Sequence, residues 1–271
     1  MSTFAAILLG IIQGLTEFLP ISSSGHLVVF QNLLGYSEPE LLFDSALHMG
    51  TLVAVCLYFR KDLELMFRDS WGFIIRWSKR EVGFQQIKET PHVGLTLAVI
   101  VGTLPTAVIG ILFRSSIERL FGSVSFAALM LLCTGGILAS SKWISPGKTR
   151  GKAPGLPGAL LVGTAQGIAI LPGISRSGTT IVCGMALGLS REMAARFSFL
   201  LSIPAIMGAL TLQMSTEGLD SVGLLPLFMG FATSALVGLF ALKLLMAMVR
   251  KGRLFYFAPY CFLVGLLILL I

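Results

Sequence analysis

The feature that most constrains this chain is a 14-residue stretch that occurs twice. Gln13 to His26 reads QGLTEFLPISSSGH, and Gln166 to Thr179 reads QGIAILPGISRSGT. At an offset of 153, without gaps, Gln13 meets Gln166, Gly14 meets Gly167, Ile21 meets Ile174, Ser22 meets Ser175, Ser24 meets Ser177 and Gly25 meets Gly178. Pro20 and Pro172 miss by one position. The differences carry the chemistry: Glu17 faces Ile170, Ser23 faces Arg176 and His26 faces Thr179. One copy brings a carboxylate, a hydroxyl and an imidazole, and the other brings a cation. Two walls of one site would differ in this way.

Each copy interrupts an apolar run. With 55% hydrophobic and only 12% charged residues, the chain is far from the quarter-charged composition of soluble domains, so the expectation is an integral membrane protein of several helices. Residues 4–34 resemble one span, but Pro20, three serines and Gly25 sit in the middle. Proline inside a helix removes a hydrogen bond and clashes with the preceding turn. The pieces on either side, about 15 and about 10 residues, give about 22 and 15 Å of helix against a core about 30 Å thick. A re-entrant hairpin fits better than a crossing, and residues 157–189, broken at Pro172–Gly178, predict a second. Runs at about 44–60, 93–113, 122–141, 194–214, 222–248 and 254–271 are long enough to cross.

Six crossings fix which loops share a side. Segments 60–92, 142–156, 190–196 and 243–253 hold 17 of the 20 basic residues, while 35–44, 114–121 and 215–221 hold Arg114 and Arg119 alone; acidic residues divide evenly. Positive charge marks the cytoplasmic face, which puts both termini outside. The first hairpin then enters from outside and the second from the cytoplasm. The expected fold is an all-α polytopic membrane protein: six transmembrane helices plus two re-entrant helical hairpins in an inverted-topology repeat. Transporters often use this architecture, with the site at the midplane between broken helices. It forms a single membrane domain over 1–271, with pseudo-repeats at about 1–141 and 157–271 and a cytoplasmic linker at 142–156. Kinked but ordinary spans are the alternative, and eight crossings would spoil the segregation of charge.

The net charge of +7 is spent on these orientation signals, so nucleic acid is not an expected partner. Cys56, Cys133, Cys183 and Cys261 stand singly in apolar runs, with neither metal nor disulfide spacing. No Lys or Arg precedes Arg60, so a cleavable signal peptide is not expected.

Glu17 and Arg176 are the two charged residues deep in apolar segments. Burying a charge in hydrocarbon costs at least about 2.5 kcal/mol, so the pair is expected to meet or to line a polar cavity; a purely structural ion pair is the plainer reading. Gln13 shares a helical face with Glu17. Ser22, Ser23, Ser24 and Gly25, and in the repeat Ser175, Ser177, Gly178 and Thr179, precede or open short helices. Hydroxyls and free amides at helix N-termini form an anion site, although serine is also an ordinary N-cap. With an arginine between two serines, phosphate is the expected ligand, because the guanidinium fork suits its oxygens. His26 lies three residues after Ser23, in reach for acid–base work. His48, in LHMGTL, is a weaker candidate that could approach the site, and His92 weaker still.

These motifs resemble the two signatures of the undecaprenyl-diphosphatase (bacitracin-resistance) family: QGLTEFLPISSSGH the first, LPGISRSGTT the second. DSALHMGTL and SREMAARFSFLLSIPA are also similar to that family, so the resemblance covers essentially the whole chain. Gln13 stands where many members carry Glu, which weakens a two-carboxylate metal site. The resemblance implies removal of the terminal phosphate of undecaprenyl diphosphate, in recycling of the cell-wall carrier lipid. By position, Glu17, Ser23, His26 and Arg176 are catalytic. Gln13, Ser22, Ser24, Gly25, Ser175, Ser177, Gly178 and Thr179 bind substrate. It further implies a divalent cation, Mg2+ or Ca2+; one carboxylate is a weak site by itself, so Glu17 is expected to hold such an ion only as a bridge to substrate phosphate. The expected location is the bacterial plasma (inner) membrane, with the site open to the periplasmic face, and the assembly expected beyond a monomer is a homodimer. Ser23 either attacks phosphorus or orients a water, and either His26 or Glu17 is the base. A transporter or flippase of a phosphorylated polyprenyl lipid is the competing class.

Overall fold

The computed structural model describes residues 1–36, 41–83, 86–87, 90–145, 147, 153–214 and 223–270, and among them the only regular structure is helical. The expected outer loop 215–221 and much of the linker 142–156 lie outside the described residues. Twelve α-helices follow in order among the described residues: α1 Thr3–Phe18, α2 Ser23–Leu33, α3 Leu41–Tyr58, α4 Arg60–Ser78, α5 Pro91–Leu112, α6 Arg114–Phe121, α7 Val124–Ser140, α8 Leu156–Ile168, α9 Arg176–Ala186, α10 Arg191–Met214, α11 Leu224–Arg250 and α12 Ala258–Leu270. A 3-10 turn, Leu254–Phe257, leads into α12.

By length and composition α5, α10 and α11 suffice to cross a membrane. Five segments do if α3 with α4, bent by 72°, and α6 with α7, bent by 100°, each count as one span. α1 has 16 residues and α8 has 13, about 24 and 20 Å of helix, short of a hydrocarbon core about 30 Å thick. Both breaks fall within the motifs; the second opens after Ile168, ahead of the expected Pro172, and closes at Arg176.

Two helices stand where the sequence suggests loops. α4 lies within the basic segment 60–92. Its charges obscure an amphipathic period in which Met66 is buried while Phe67, Trp71 and Ile74 remain exposed. Asp62 pairs with Arg196 of α10 at 3.2 Å, and Asp69 accepts from His92 of α5 at 2.8 Å. α6 occupies 114–121 in the same manner.

The helices cross-pack between halves. α1 lies against α11 and α8 against α5; α3 contacts α10, and α7 contacts α12. Glycines make the close approaches. A Cβ on Gly10 would come within 2.8 Å of the Gly230 oxygen, and one on Gly14 within 2.9 Å of the Ser234 oxygen and Gly238 nitrogen. In the other half, a Cβ on Gly163 would overlap the backbone of Gly102, and one on Gly167 would meet the Ile109 side chain. Gly163 and Gly167 are Gly10 and Gly14 at the 153-residue offset. Small residues four apart allow backbones to touch where lipid gives no hydrophobic drive. Between these seams the core closes on Phe18, Leu138, Ile181, Phe197, Phe199 and Leu242, all fully buried, with the Phe18 and Phe199 rings 5.8 Å apart.

Candidate active site

Both hairpin tips are built alike. α1 ends when the Leu19 amide bonds back to the Leu15 carbonyl at 3.1 Å and Pro20 follows, since proline cannot continue the ladder. Ser22 then caps α2, its hydroxyl oxygen accepting from the Gly25 amide at 3.3 Å. Ser175 caps α9 identically, accepting from the Gly178 amide at 3.1 Å. By position, the first-turn amides of Ser23, Ser24, Arg176 and Ser177 have no intrahelical partner. The backbone reversal comes from Ser22 itself in the first tip (φ 67°, ψ 97°) and from Gly173 (φ 95°) in the second. A non-glycine residue there costs about 1–3 kcal/mol. Thr134 of α7 braces the second tip, donating to the Gly173 carbonyl at 2.8 Å and accepting from the Ser175 amide at 3.0 Å.

The tips meet. The Ser177 hydroxyl donates to the Phe18 carbonyl at 3.1 Å. A Cβ on Gly25 would lie 3.3 Å from the Gly173 Cα, and one on Gly178 would lie 3.1 Å from Pro20. Across this seam Arg176 Nη2 donates to Glu17 Oε1. The other carboxylate oxygen, Oε2, accepts from the Ser23 hydroxyl at 2.6 Å and from Gln13 Nε2 at 3.2 Å. Gln13 Nε2 also lies 2.6 Å from His48 Nδ1, which stands 3.9 Å from Glu17 Oε2. Glu17 and Arg176 keep only 8% and 16% of their side-chain exposure. At these depths a charge needs a partner: Glu17 is bonded at both oxygens, and Arg176 is bonded to Glu17.

Four buried side-chain polar atoms lack a partner among the described residues: Gln13 Oε1, Arg176 Nη1, Thr179 Oγ1 and Gln166 Oε1. Unmatched buried polar groups are rare and costly. Three of the four belong to the paired tips, and two of those three are donors suited to an anion's oxygens.

The structure thus brings Gln13, Glu17, Ser23 and Arg176 into one network. Ser22 and Ser175 are caps. Ser24 and Ser177 lie within 3.3 and 3.4 Å of them, and Gly25 and Gly178 are the capped amides and the contact points. His26 turns elsewhere. Its Nδ1 lies 2.7 Å from the Ser22 carbonyl, which can only accept, so Nδ1 carries the proton. Nε2 lies within hydrogen-bond distance of the Tyr260 hydroxyl at 2.8 Å, with the two rings stacked 5.8 Å apart. Tyr260 and Thr134 are contributors that sequence reasoning missed. Tyr260 lies in FAPYCF, an apolar stretch without polar period, and Thr134 is one hydroxyl in an apolar helix. His48 stands nearer the centre than its weak motif suggested.

A divalent cation held by protein groups alone does not fit these residues. Glu17 is the one carboxylate in the network; its Oε1 is taken by Arg176 and its Oε2 by Ser23 and Gln13. No group of three His, Cys, Asp or Glu side chains placed to hold a metal occurs among the described residues. The cation implied by the family signatures has no protein-built seat in this arrangement.

Fold and site together define a helical membrane protein in which two broken helices, one from each half, share a buried acid–hydroxyl–guanidinium cluster. Within that class the chain belongs to the family described as bacitracin resistance protein BacA, whose model it matches over residues 6–267. It is similar to the undecaprenyl-diphosphatase of Desulfatibacillum aliphaticivorans, 47% identical over 278 residues spanning 99% of this chain and 98% of that one. It also resembles the undecaprenyl-diphosphatases of Halothermothrix orenii (44% identical, 100% of this chain and 98% of that one) and Geobacter sulfurreducens (42%, 98% and 96%).

Proposed function

We propose that this protein is an undecaprenyl-diphosphate phosphatase, hydrolysing the terminal phosphate to give undecaprenyl phosphate and inorganic phosphate. One observation carries the reading: the Ser23 hydroxyl donates at 2.6 Å to a carboxylate that is itself paired across the repeat with Arg176. A serine hydroxyl is a weak nucleophile until a base takes its proton. The hydrogen bond favours Glu17 over His26 as that base, and His26 holds the strained Ser22 backbone. Ser23 Oγ attacks the terminal phosphorus and the proton passes to Glu17. The bond to the bridging oxygen breaks and undecaprenyl phosphate leaves. Glu17 releases that proton to solvent; water then attacks the phosphoserine, Glu17 takes the water's proton, the Oγ–P bond breaks, and the proton returns to Ser23 Oγ as inorganic phosphate leaves. Arg176 Nη1, Thr179 Oγ1 and the first-turn amides of α2 and α9 receive the phosphate oxygens. Phosphoryl transfer needs mainly such positioning and charge neutralisation.

The same reading gives the chain six crossings and two re-entrant hairpins related by an inverted repeat, in the bacterial inner membrane. The short α1 and α8, the cross-packing of halves and the one-sided loop charges support it. The first hairpin then opens the site to the periplasmic face. The cross-packing also suits a carrier of a phosphorylated polyprenyl lipid.

Detergent-solubilised protein given a polyprenyl diphosphate separates the two. We expect free phosphate, lowered about 10³-fold or more by Arg176→Ala, the scale on which an arginine serves transferring phosphoryl groups. Lipid movement in liposomes without phosphate release would replace the enzyme by the carrier.

A further inference from the structure

The geometry points to His48 as a further positioning residue of this site, acting through Gln13. The inference rests on the phosphatase reading above. Gln13 is fully buried, and its amide nitrogen has two neighbours, Glu17 Oε2 at 3.2 Å and His48 Nδ1 at 2.6 Å. Reversing the amide would turn its oxygen against a carboxylate that can only accept, so nitrogen faces Glu17. Both amide hydrogens are then donated, one to the carboxylate and one to the ring. His48 Nδ1 must offer a lone pair, and the ring is neutral with its proton on Nε2. At 3.9 Å from Glu17 Oε2, the ring reaches the base only through the amide.

This fixes two things the reaction uses. The first is the amide's hydrogen bond to Glu17 Oε2, the same oxygen that receives the Ser23 proton; without it the carboxylate can rotate away from the hydroxyl. The second is Gln13 Oε1, left buried and unpartnered. A lone acceptor beside a serine and a carboxylate suits a hydrogen-bond donor, and the hydrolytic water is the donor that the second half-reaction supplies. If Nδ1 carried a proton, the amide would have to turn over and both features would be lost. Three groups face the ring or its partners and bear on its charge: Glu17, Arg176 and Gln13. His48 itself keeps 31% of its side-chain exposure, against 8% for Glu17 and 16% for Arg176.

The test uses the purified full-length protein, phosphate release from a polyprenyl diphosphate, and thermal unfolding as a check on folding. Asparagine places an acceptor oxygen near the position of Nδ1, while glutamine places its amide near Nε2. We expect His48→Asn to keep kcat within about fivefold of wild type, and His48→Gln and His48→Ala to lose about 30-fold or more in kcat with little change in KM. Because His48 acts through the amide, His48→Ala combined with Gln13→Ala should be no slower than Gln13→Ala alone, a full non-additivity. His48→Asn as slow as His48→Ala, or losses that multiply in the double variant, would overturn the inference. So would wild-type rates in all three single variants. If His48→Ala does not fold, the contrast between Asn and Gln still decides. Absence of phosphate release by the wild-type protein would instead sink the phosphatase reading.

Discussion

At the scale of single residues, Glu17 performs several tasks with two oxygens. One holds the guanidinium; the other holds the hydroxyl and the amide. Glu17→Gln keeps the shape and removes the charge, so it separates base from spacer. General-base assistance contributes about 10²–10⁴ in rate, and phosphate release should fall by that factor while the lipid still binds. Removing the partner altogether, as in Glu17→Ala, leaves Arg176 buried and uncompensated. That costs about 3–5 kcal/mol, visible as a lower unfolding temperature in detergent that Glu17→Gln shows to a smaller degree. Ser23→Ala should stop turnover and abolish any trapped phosphoserine without touching the Glu17–Arg176 pair. Normal turnover in Ser23→Ala would end its role as nucleophile.

At the scale of elements, the motifs made the hairpins legible because Pro20 and Pro172 each stand beside serines and a glycine that cap a new helix, whereas the lone Pro105 and Pro204 are carried inside α5 and α10 without ending them. The pairing of Glu17 with Arg176 was legible as well, since two deep charges at matching places in two repeats have few other ways to be satisfied. Tyr260 was not, because its contact with His26 is 234 residues away in sequence and depends on how α12 docks on α7. α4 was hidden for the opposite reason, its helical period being overlaid by charges that read as an orientation signal. The glycine seams need the fold before their partners can be named, yet they make a sharp prediction. A Cβ on Gly163 meets the backbone of Gly102, which cannot swing aside, while one on Gly136 of α7 meets nothing within 4 Å. Gly163→Ala should therefore cost about 1–3 kcal/mol by overpacking. Gly136→Ala should be neutral or stabilise by up to about 1 kcal/mol through helix propensity. Thermal unfolding of the two variants side by side checks both, and equal melting would mean that α5 and α8 do not touch as described.

At the scale of the molecule, the proposed topology has the two tips entering the bilayer from opposite faces. Each broken helix is too short to cross alone, and each leaves tip amides that hydrocarbon cannot satisfy. Bringing the tips together solves both problems, since every exposed helix end then faces the other hairpin or a polar ligand. With the six crossings proposed above, the loop charges would assign the faces: 17 basic residues on one side against Arg114 and Arg119 on the other. Topology therefore predicts labelling. In a protein whose four cysteines are replaced by alanine, single cysteines would be introduced at Ser2 and Asn32, which flank the first hairpin, and at Gly155 and Leu187, which flank the second; all four positions are exposed. A membrane-impermeant maleimide applied to intact cells should label Ser2→Cys and Asn32→Cys. It should reach Gly155→Cys and Leu187→Cys only after permeabilisation. If Ser2 and Asn32 were labelled from opposite faces, α1 and α2 would form one crossing and the first motif would not turn back within the membrane. The two tips could not then share a midplane pocket, whatever rates the variants showed.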